Sequence, residues 1–437
     1  VLTGRYDREI LALALPALGA LAADPLVSLI DTAFVGRLGR VPLAALGVNV
    51  AVFSFAFVVF NFLAYGTTPM VARALGRGDR AAAGRVVANA FVLAAVAGVV
   101  ALTLLQLLAV PILRAMGADE ALLGPATGYL RVRALAGPAL LLITAANGAF
   151  RGHQDTRTPL IVTSMVAVVN LALDPLFIFV FGWGLIGAAW ATMIAQWAGA
   201  VTFLALVYGR LRGVWQVPWR LPTLAELTPF LRVGWALLIR TFSLIAAMTA
   251  ATAVATRLGV LEVAAHQVAA QLWMFLALIV DALAIAAQAL VARYVGEGRA
   301  ADARAVSDRL LVLGLGVGVA LGVTFWIARP WLASAFSDDP AVVAQVLAIF
   351  PFVAAMQPLN ALVFVWDGVF MAIEDFAFLA VAMVLSAAVA GALLAGVLPL
   401  GWGLNGVWWA LVGLMLARAA TLAWRYRPAA GVFRDAA

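Results

Sequence analysis

The chain has no cysteine, no lysine and only two histidines, and Asp, Glu and Arg together make up just 11% of its 437 residues. Without cysteine there can be no disulfide, no thiolate metal site and no cysteine nucleophile. His153 and His266 lack partners at metal-ligand spacing, so both are expected to be structural and no metal site is predicted. No Ser/His/Asp set stands out, and no glycine pattern follows a strand in a way that would cradle phosphate, so no catalytic residue is predicted and the chain does not read as an enzyme. The net charge of +7 raises nucleic acid as a partner. That reading is set aside because most of the arginines fall in short links between apolar runs.

What the sequence has in abundance is apolar surface. Hydrophobic residues make up 65% of it, and the mean hydropathy is +1.06, far above a soluble domain, in which roughly half the residues are apolar. Crossing about 30 Å of hydrocarbon takes about 20 mostly apolar residues. The runs lack the alternation of barrel strands, which leaves helices as the spanning structure. The predicted class is therefore an all-α integral membrane protein of twelve helices. The first six run over Ile10–Val35, Leu46–Val71, Val86–Leu113, Ala121–Phe150, Pro159–Phe181 and Leu185–Tyr208. The second six run over Thr228–Thr256, Glu262–Val291, Val306–Leu332, Ala341–Met371, Phe376–Leu398 and Leu404–Trp424. The first run follows a brief charged segment with no small-residue cleavage site, and is read as a retained span.

Arginine sets the orientation. Arg5 and Arg8 precede the first span, and Arg73, Arg77, Arg80, Arg85, Arg151, Arg157, Arg210, Arg212, Arg293, Arg299, Arg425 and Arg434 follow even-numbered ones. The opposite loops hold fewer, with Asp119, Glu120, Asp338 and Asp339 alongside, so both termini are expected on the cytoplasmic side.

A long internal repeat organises the chain. Val71-Ala72-Arg73 returns as Val291-Ala292-Arg293, Arg37-Leu38-Gly39 as Arg257-Leu258-Gly259, and Gly182-Trp183-Gly184-Leu185 as Gly401-Trp402-Gly403-Leu404. Because the repeat spans six helices, an even number, the halves are parallel repeats with substrate expected near the midplane. The predicted domains are a lobe over 1–209, a cytoplasmic linker over 210–227 with Pro218 and Pro222, and a lobe over 228–437.

An ionisable group in hydrocarbon is costly, so each intramembrane charge is a site candidate. These are Asp24, Asp31, Asp174, Arg240, Asp281, Asp367 and Arg418. Asp24 and Asp31 are seven residues apart and share a face of a regular helix, which Pro16 and Pro25 interrupt. Asn170 and Asp174 lie at i and i+4 on the fifth span. If Asp31 and Asp174 face one cavity they titrate as a unit and can load and unload a proton; the alternative is that they cap helix ends or pair with arginine. The second half does not mirror this pair: Asp31 corresponds to Ala251, whereas Asn61 corresponds to Asp281, Asn147 to Asp367 and Ala20 to Arg240. Arg240 with Asp281 or Asp367 forms either a lock or anion contact, or a satisfied pair with no transport role.

The chain resembles the multidrug and toxic compound extrusion (MATE) family, within it the DinF-like branch, over essentially its whole length. The resemblance rests on Asp31-Thr32-Ala33-Phe34-Val35-Gly36-Arg37-Leu38-Gly39, Arg151-Gly152-His153-Gln154-Asp155-Thr156-Arg157-Thr158-Pro159, Asn170 to Pro175, Gly187 to Thr192, and Asp281 to Gln288. It implies two six-helix lobes around a V-shaped cleft, alternating access, and efflux of organic cations or amphipathic compounds driven by H⁺ or Na⁺. Carried over by position, Asp31 and Asp174 resemble the coupling acids, Pro16 the helix-bending proline, and Asn147, Asn170 and Thr192 their polar neighbours. Arg240 in Leu238-Ile239-Arg240-Thr241 resembles the branch pattern. The seventh-helix acid of some Na⁺-coupled members is not evident, which favours protons, while the oxygens of the same set keep Na⁺ open. The implied partners are small organic substrates and membrane lipids, with H⁺ as coupling ion, no other cofactor, and a bacterial inner membrane as the setting. A lipid-linked precursor flippase is the alternative. The two lobes are expected to complete a path within one monomer.

Overall fold

The computed structural model describes residues 4–336, 339–427 and 433; Asp338 and Arg434, both used in the orientation argument, lie outside them. All regular structure among these residues is helical. The α-helices are α1 (Asp7–Gly36), α2 (Arg40–Val58), α3 (Phe62–Gly76), α4 (Arg80–Ala115), α5 (Glu120–Ala134), α6 (Gly137–Gly152), α7 (Arg157–Pro175) and α8 (Gly184–Leu204). They continue with α9 (Arg212–Trp215), α10 (Leu224–Leu258), α11 (Val260–Gly296), α12 (Ala300–Phe336), α13 (Pro340–Ala355), α14 (Gln357–Ala372), α15 (Phe376–Val397) and α16 (Gly403–Arg425).

Among the described residues, ten stretches are long and apolar enough to cross a bilayer. The pairs α5 with α6 and α13 with α14, each bent by 46°, raise the number to twelve if each pair is one span. Both bends fall inside runs that the sequence presented as continuous. Pro138 and Pro358 explain them: each lacks an amide N–H and stands in the first turn of the second helix, where a proline starts a helix but cannot continue one.

The repeat extends to the backbone. The positive-φ residues Gly39, Gly78, Gln154 and Gly182 have counterparts in Gly259, Gly298, Glu374 and Gly401. Asp119 caps α5 by accepting from the Leu122 amide, and Asp339 caps α13 by accepting from that of Ala341. Close helix crossings repeat too. A Cβ on Gly148 would stand 2.9 Å from the Ala64 Cα, and one on Gly368 would stand 2.9 Å from the Ala284 Cα. Only a residue without a side chain lets these backbones approach so closely. The correspondence is not complete: a 3-10 turn at Val59–Asn61 separates α2 from α3, whereas α11 runs unbroken.

The chain divides into two compact units. One comprises Leu15–Gly234, the other Val1–Ala14 with Trp235–Ala437. Within the first, α4 packs on α6 and α3 on α6; within the second, α11 packs on α14 and α15 on α16. The change of unit within α1, between Ala14 and Leu15, comes just before Pro16, and the change within α10 falls at the repeat-equivalent place, between Gly234 and Trp235. The segment predicted as a linker, 210–227, belongs to the first unit. The reason is apolar burial: Trp215, Val217 and, just beyond, Phe230 are inside that unit's core. Trp215 stacks on His153 with ring centroids 3.6 Å apart.

Candidate functional site

The site grows from three elements of the Leu15–Gly234 unit. Helix α1 supplies Asp24 and Asp31, which line a common cavity of about 290 Å³, as their seven-residue spacing predicts. Helix α7 supplies Asn170 and Asp174, both buried, at its C-terminal end. Directly after Asp174 and Pro175 the helix widens into a π-turn over Leu176–Val180. Proline removes a helical hydrogen bond, and such wide turns are characteristic of functional sites. Helix α8 supplies Thr192, whose hydroxyl accepts from the Asn170 Nδ2 at 3.2 Å and donates to the Ala188 carbonyl at 2.9 Å.

Asp31 and Asp174 stand within side-chain reach of each other. Oδ1 of Asp31 and both carboxylate oxygens of Asp174 are buried with no hydrogen-bond donor. Two carboxylates that close have no donor between them unless a proton sits there, which accounts for oxygens that are adjacent yet unsatisfied. The Oδ1 atoms of Asn170 and Asn147 are also buried without a partner. These acceptors are what a proton or a small cation would engage.

One charged residue at this site went unread in the sequence. Arg133, on α5 just before the bend, lines the same cavity and a second one of about 430 Å³ that shares Asp24, Phe53, Ser54 and Leu140 with it. Its guanidinium lies over the Phe53 ring at 4.7 Å, and its Nη1 is buried without a hydrogen-bond partner. It stands close enough to Asp24, Asp31 and Tyr129 to interact electrostatically with each. The signal was available: Arg133 falls within the predicted span Ala121–Phe150, where an arginine is as noteworthy as a carboxylate.

The remaining predicted residues divide as follows. Asn147 is on α6 of the same unit, and Pro16 lies just past the change of unit in α1. Arg240, Asp281 and Asp367 belong to the other unit, on α10, α11 and α14. There Asp367 accepts from Arg240 Nη2 at 2.5 Å and from Arg418 Nη2, so a buried carboxylate joins α10, α14 and α16. Asp281 is half-buried on α11. Both histidines have structural settings: His153 Nδ1 contacts the Ala149 carbonyl at 2.9 Å, and His266 Nε2 contacts the Thr252 hydroxyl at 3.2 Å.

The MatE family profile matches residues 16–176 and again residues 237–397. The chain belongs to the MatE family. The double match falls on the two halves of the internal repeat, so the MatE unit occurs twice in the chain. Protein DETOXIFICATION 44, chloroplastic, of Arabidopsis thaliana is 36% identical, over 97% of this chain and 82% of its own. The probable multidrug resistance protein NorM of Thermotoga maritima is 26% identical, over 80% of this chain and 77% of its own. Among solved structures, one described as MATE in the bent conformation superposes with a TM-score of 0.90 at 22% identity, covering 100% of this chain and 98% of that one. An outward-facing multidrug resistance MATE transporter of the MOP superfamily gives 0.89 at 22% identity, covering 97% and 96%. These superpositions establish that the chain has the MATE fold.

Proposed function

We propose that this MatE chain is a secondary active antiporter that exports small organic, cationic or amphipathic compounds in exchange for protons by alternating access. The observation that carries the reading is the Asp31 and Asp174 pair, close together, with Oδ1 of Asp31 and both carboxylate oxygens of Asp174 buried and lacking donors, beside a cavity that Asp24 and Asp31 line. A proton delivered to the pair removes the negative charge that holds a cation, and proton and substrate therefore compete. Protonation then bends α1 near Pro16 and releases substrate outward; deprotonation toward the cytoplasm restores binding. The relatives named as multidrug resistance proteins support the substrate class. The arginine pattern supports termini on the cytoplasmic side of the membrane, and the presence of two MatE units in one chain supports a functional monomer.

A second reading is favoured by the unpartnered oxygens of Asp174, Asn170 and Asn147, which suit Na⁺ as well as H⁺. The test is accumulation of a fluorescent organic cation inside inverted vesicles, where export runs inward, under an imposed pH gradient in sodium-free buffer. Proton antiport requires transport that needs both the gradient and Asp31, so Asp31→Asn is inactive. Normal pumping by that variant overturns the reading. Transport only under a sodium gradient assigns the pair to Na⁺, and none under either gradient favours the lipid-linked precursor flippase.

A further inference from the structure

Arg133 is a fixed positive charge inside a chamber proposed to take cations, and a cation-binding chamber gains no affinity from it. Its environment shows that it is held there. Helix α5 ends at Ala134 against the Pro138 bend, which places Arg133 in its last turn. The Phe53 face supports the guanidinium at 4.7 Å, and Arg133 borders both cavities at once. The acidic groups around it are Asp24 and Asp31 from α1, with Asp174 from α7 behind Asp31. Tyr129 is the other titratable group on its own helix at the cavity.

We infer that Arg133 sets the charge selectivity of the chamber, fitting it to organic solutes with a single positive charge and excluding dications. The inference rests on the proton-antiport reading, in which Asp31 and Asp174 hold one proton between them before substrate binds. The pair then carries one negative charge, and Asp24, within electrostatic range of Arg133 and taken as ionised, supplies a second. Arg133 cancels one of the two, and a single monocation neutralises what is left. A dication leaves the chamber with an uncompensated positive charge in a setting of low dielectric, where like charges several ångströms apart repel strongly. The aromatic and apolar walls provided by Phe53, Val27 and Leu140 accept the organic body of either ion, so charge is what separates them.

The test compares uptake of tetraphenylphosphonium, a monocation, and methyl viologen, a dication, into inverted vesicles under the same pH gradient. Wild type is expected to prefer the monocation. Arg133→Gln is expected to raise the dication-to-monocation ratio about tenfold, the scale of one removed charge at this range. Arg133→Lys, which keeps the charge, restores the wild-type ratio, an outcome that a purely structural role for the guanidinium would not give. Asp24→Asn shifts the charge the opposite way and lowers the ratio, which keeps the inference testable if Arg133→Gln does not fold. An unchanged ratio in Arg133→Gln, or in Asp24→Asn when only that variant folds, overturns the role of Arg133 while leaving antiport intact. Wild type that moves neither cation overturns the efflux reading itself, and this inference with it.

Discussion

Asp7 and Arg309 form a two-point ion pair across 302 residues of sequence, with Nε donating to Oδ1 at 2.6 Å and Nη2 to Oδ2 at 2.8 Å. Tyr6 adds a hydrogen bond to Asp302 at 2.5 Å, and Tyr294 donates to Glu9 at 3.1 Å. The first turns of α1 are thereby fixed to α11 and α12, while the same helix carries Asp24 and Asp31 in the other unit. Paired planar contacts of this kind are the strong class of charged hydrogen bond. Asp7→Asn should therefore loosen residues 7–14, seen as about a tenfold drop in their hydrogen-exchange protection, the scale of one charged hydrogen bond. Exchanging the two residues, Asp7→Arg with Arg309→Asp, should recover part of it. Unchanged protection in Asp7→Asn would mean that apolar packing alone holds this end of α1.

The acidic pair should behave as one unit. If Asp31 and Asp174 share a proton, removing either destroys the shared site, and removing both costs little more. Asp31→Asn and Asp174→Asn should each reduce gradient-driven efflux at least tenfold, and the double variant should match the worse single one. Losses that multiply across the two positions would show two independent sites instead.

Much of this arrangement was legible in the sequence, for reasons of scale. A span of some twenty apolar residues is a long signal, and it placed the helices; the compact units divide at Ala14/Leu15 and Gly234/Trp235 rather than at the predicted lobe boundaries. Asp31, Asp174 and Asn170 stand out in the sequence because a charge or amide in hydrocarbon is conspicuous. Arg133 is overlooked when arginine is taken only as an orientation marker, although it falls inside a predicted span and lines the cavity. The packed state of residues 210–227 was also hidden. Its prolines and arginines suggest a linker, whereas the burial of Trp215 against His153 depends on residues about 60 positions away, which no local pattern reveals.

His153 gives a pH signature outside the membrane spans. Burial pushes its imidazole down to about 4, and it stacks on Trp215, against about 6.5 for an unfolded histidine. The unfolded chain therefore takes up a proton that the folded chain refuses, so this contribution is whole above about pH 6.5 and is lost as the pH falls toward 4. His153→Phe keeps the stack and should flatten the fall in melting temperature over that window. An equally steep fall in the variant would place the titrating group elsewhere.

The repeated glycine crossings separate fold from function. A methyl on Gly148 would meet the Ala64 Cα and carbonyl oxygen at 2.9 Å, so backbone rather than a flexible side chain must yield. Gly148→Ala should lower stability by about 1–3 kcal/mol, the usual range for overpacking. Gly391 on α15 has nothing within 4 Å of its would-be Cβ, and Gly391→Ala should be neutral or slightly stabilising, since alanine is the better helix former. Thermal melts in detergent compare the two, and equal melting temperatures would refute the tight crossing.

Asp367 makes the strongest stability prediction. It is 5% exposed and accepts from two arginines, Arg240 and Arg418, on different helices. Removing its carboxylate leaves Arg418, itself 3% exposed, without the negative charge that offsets its burial. Breaking a buried ion pair from one side costs about 3–5 kcal/mol, whereas replacing both partners by apolar residues of similar volume is often neutral. Asp367→Ala should therefore lower the melting temperature sharply, and Asp367→Leu combined with Arg418→Met should recover the share due to Arg418, while Arg240 still lacks this carboxylate. The recovered protein is then the one in which to measure efflux. Transport at the wild-type rate would make the cluster a structural tie among α10, α14 and α16, and lost transport in a stable protein would make it part of the transport cycle.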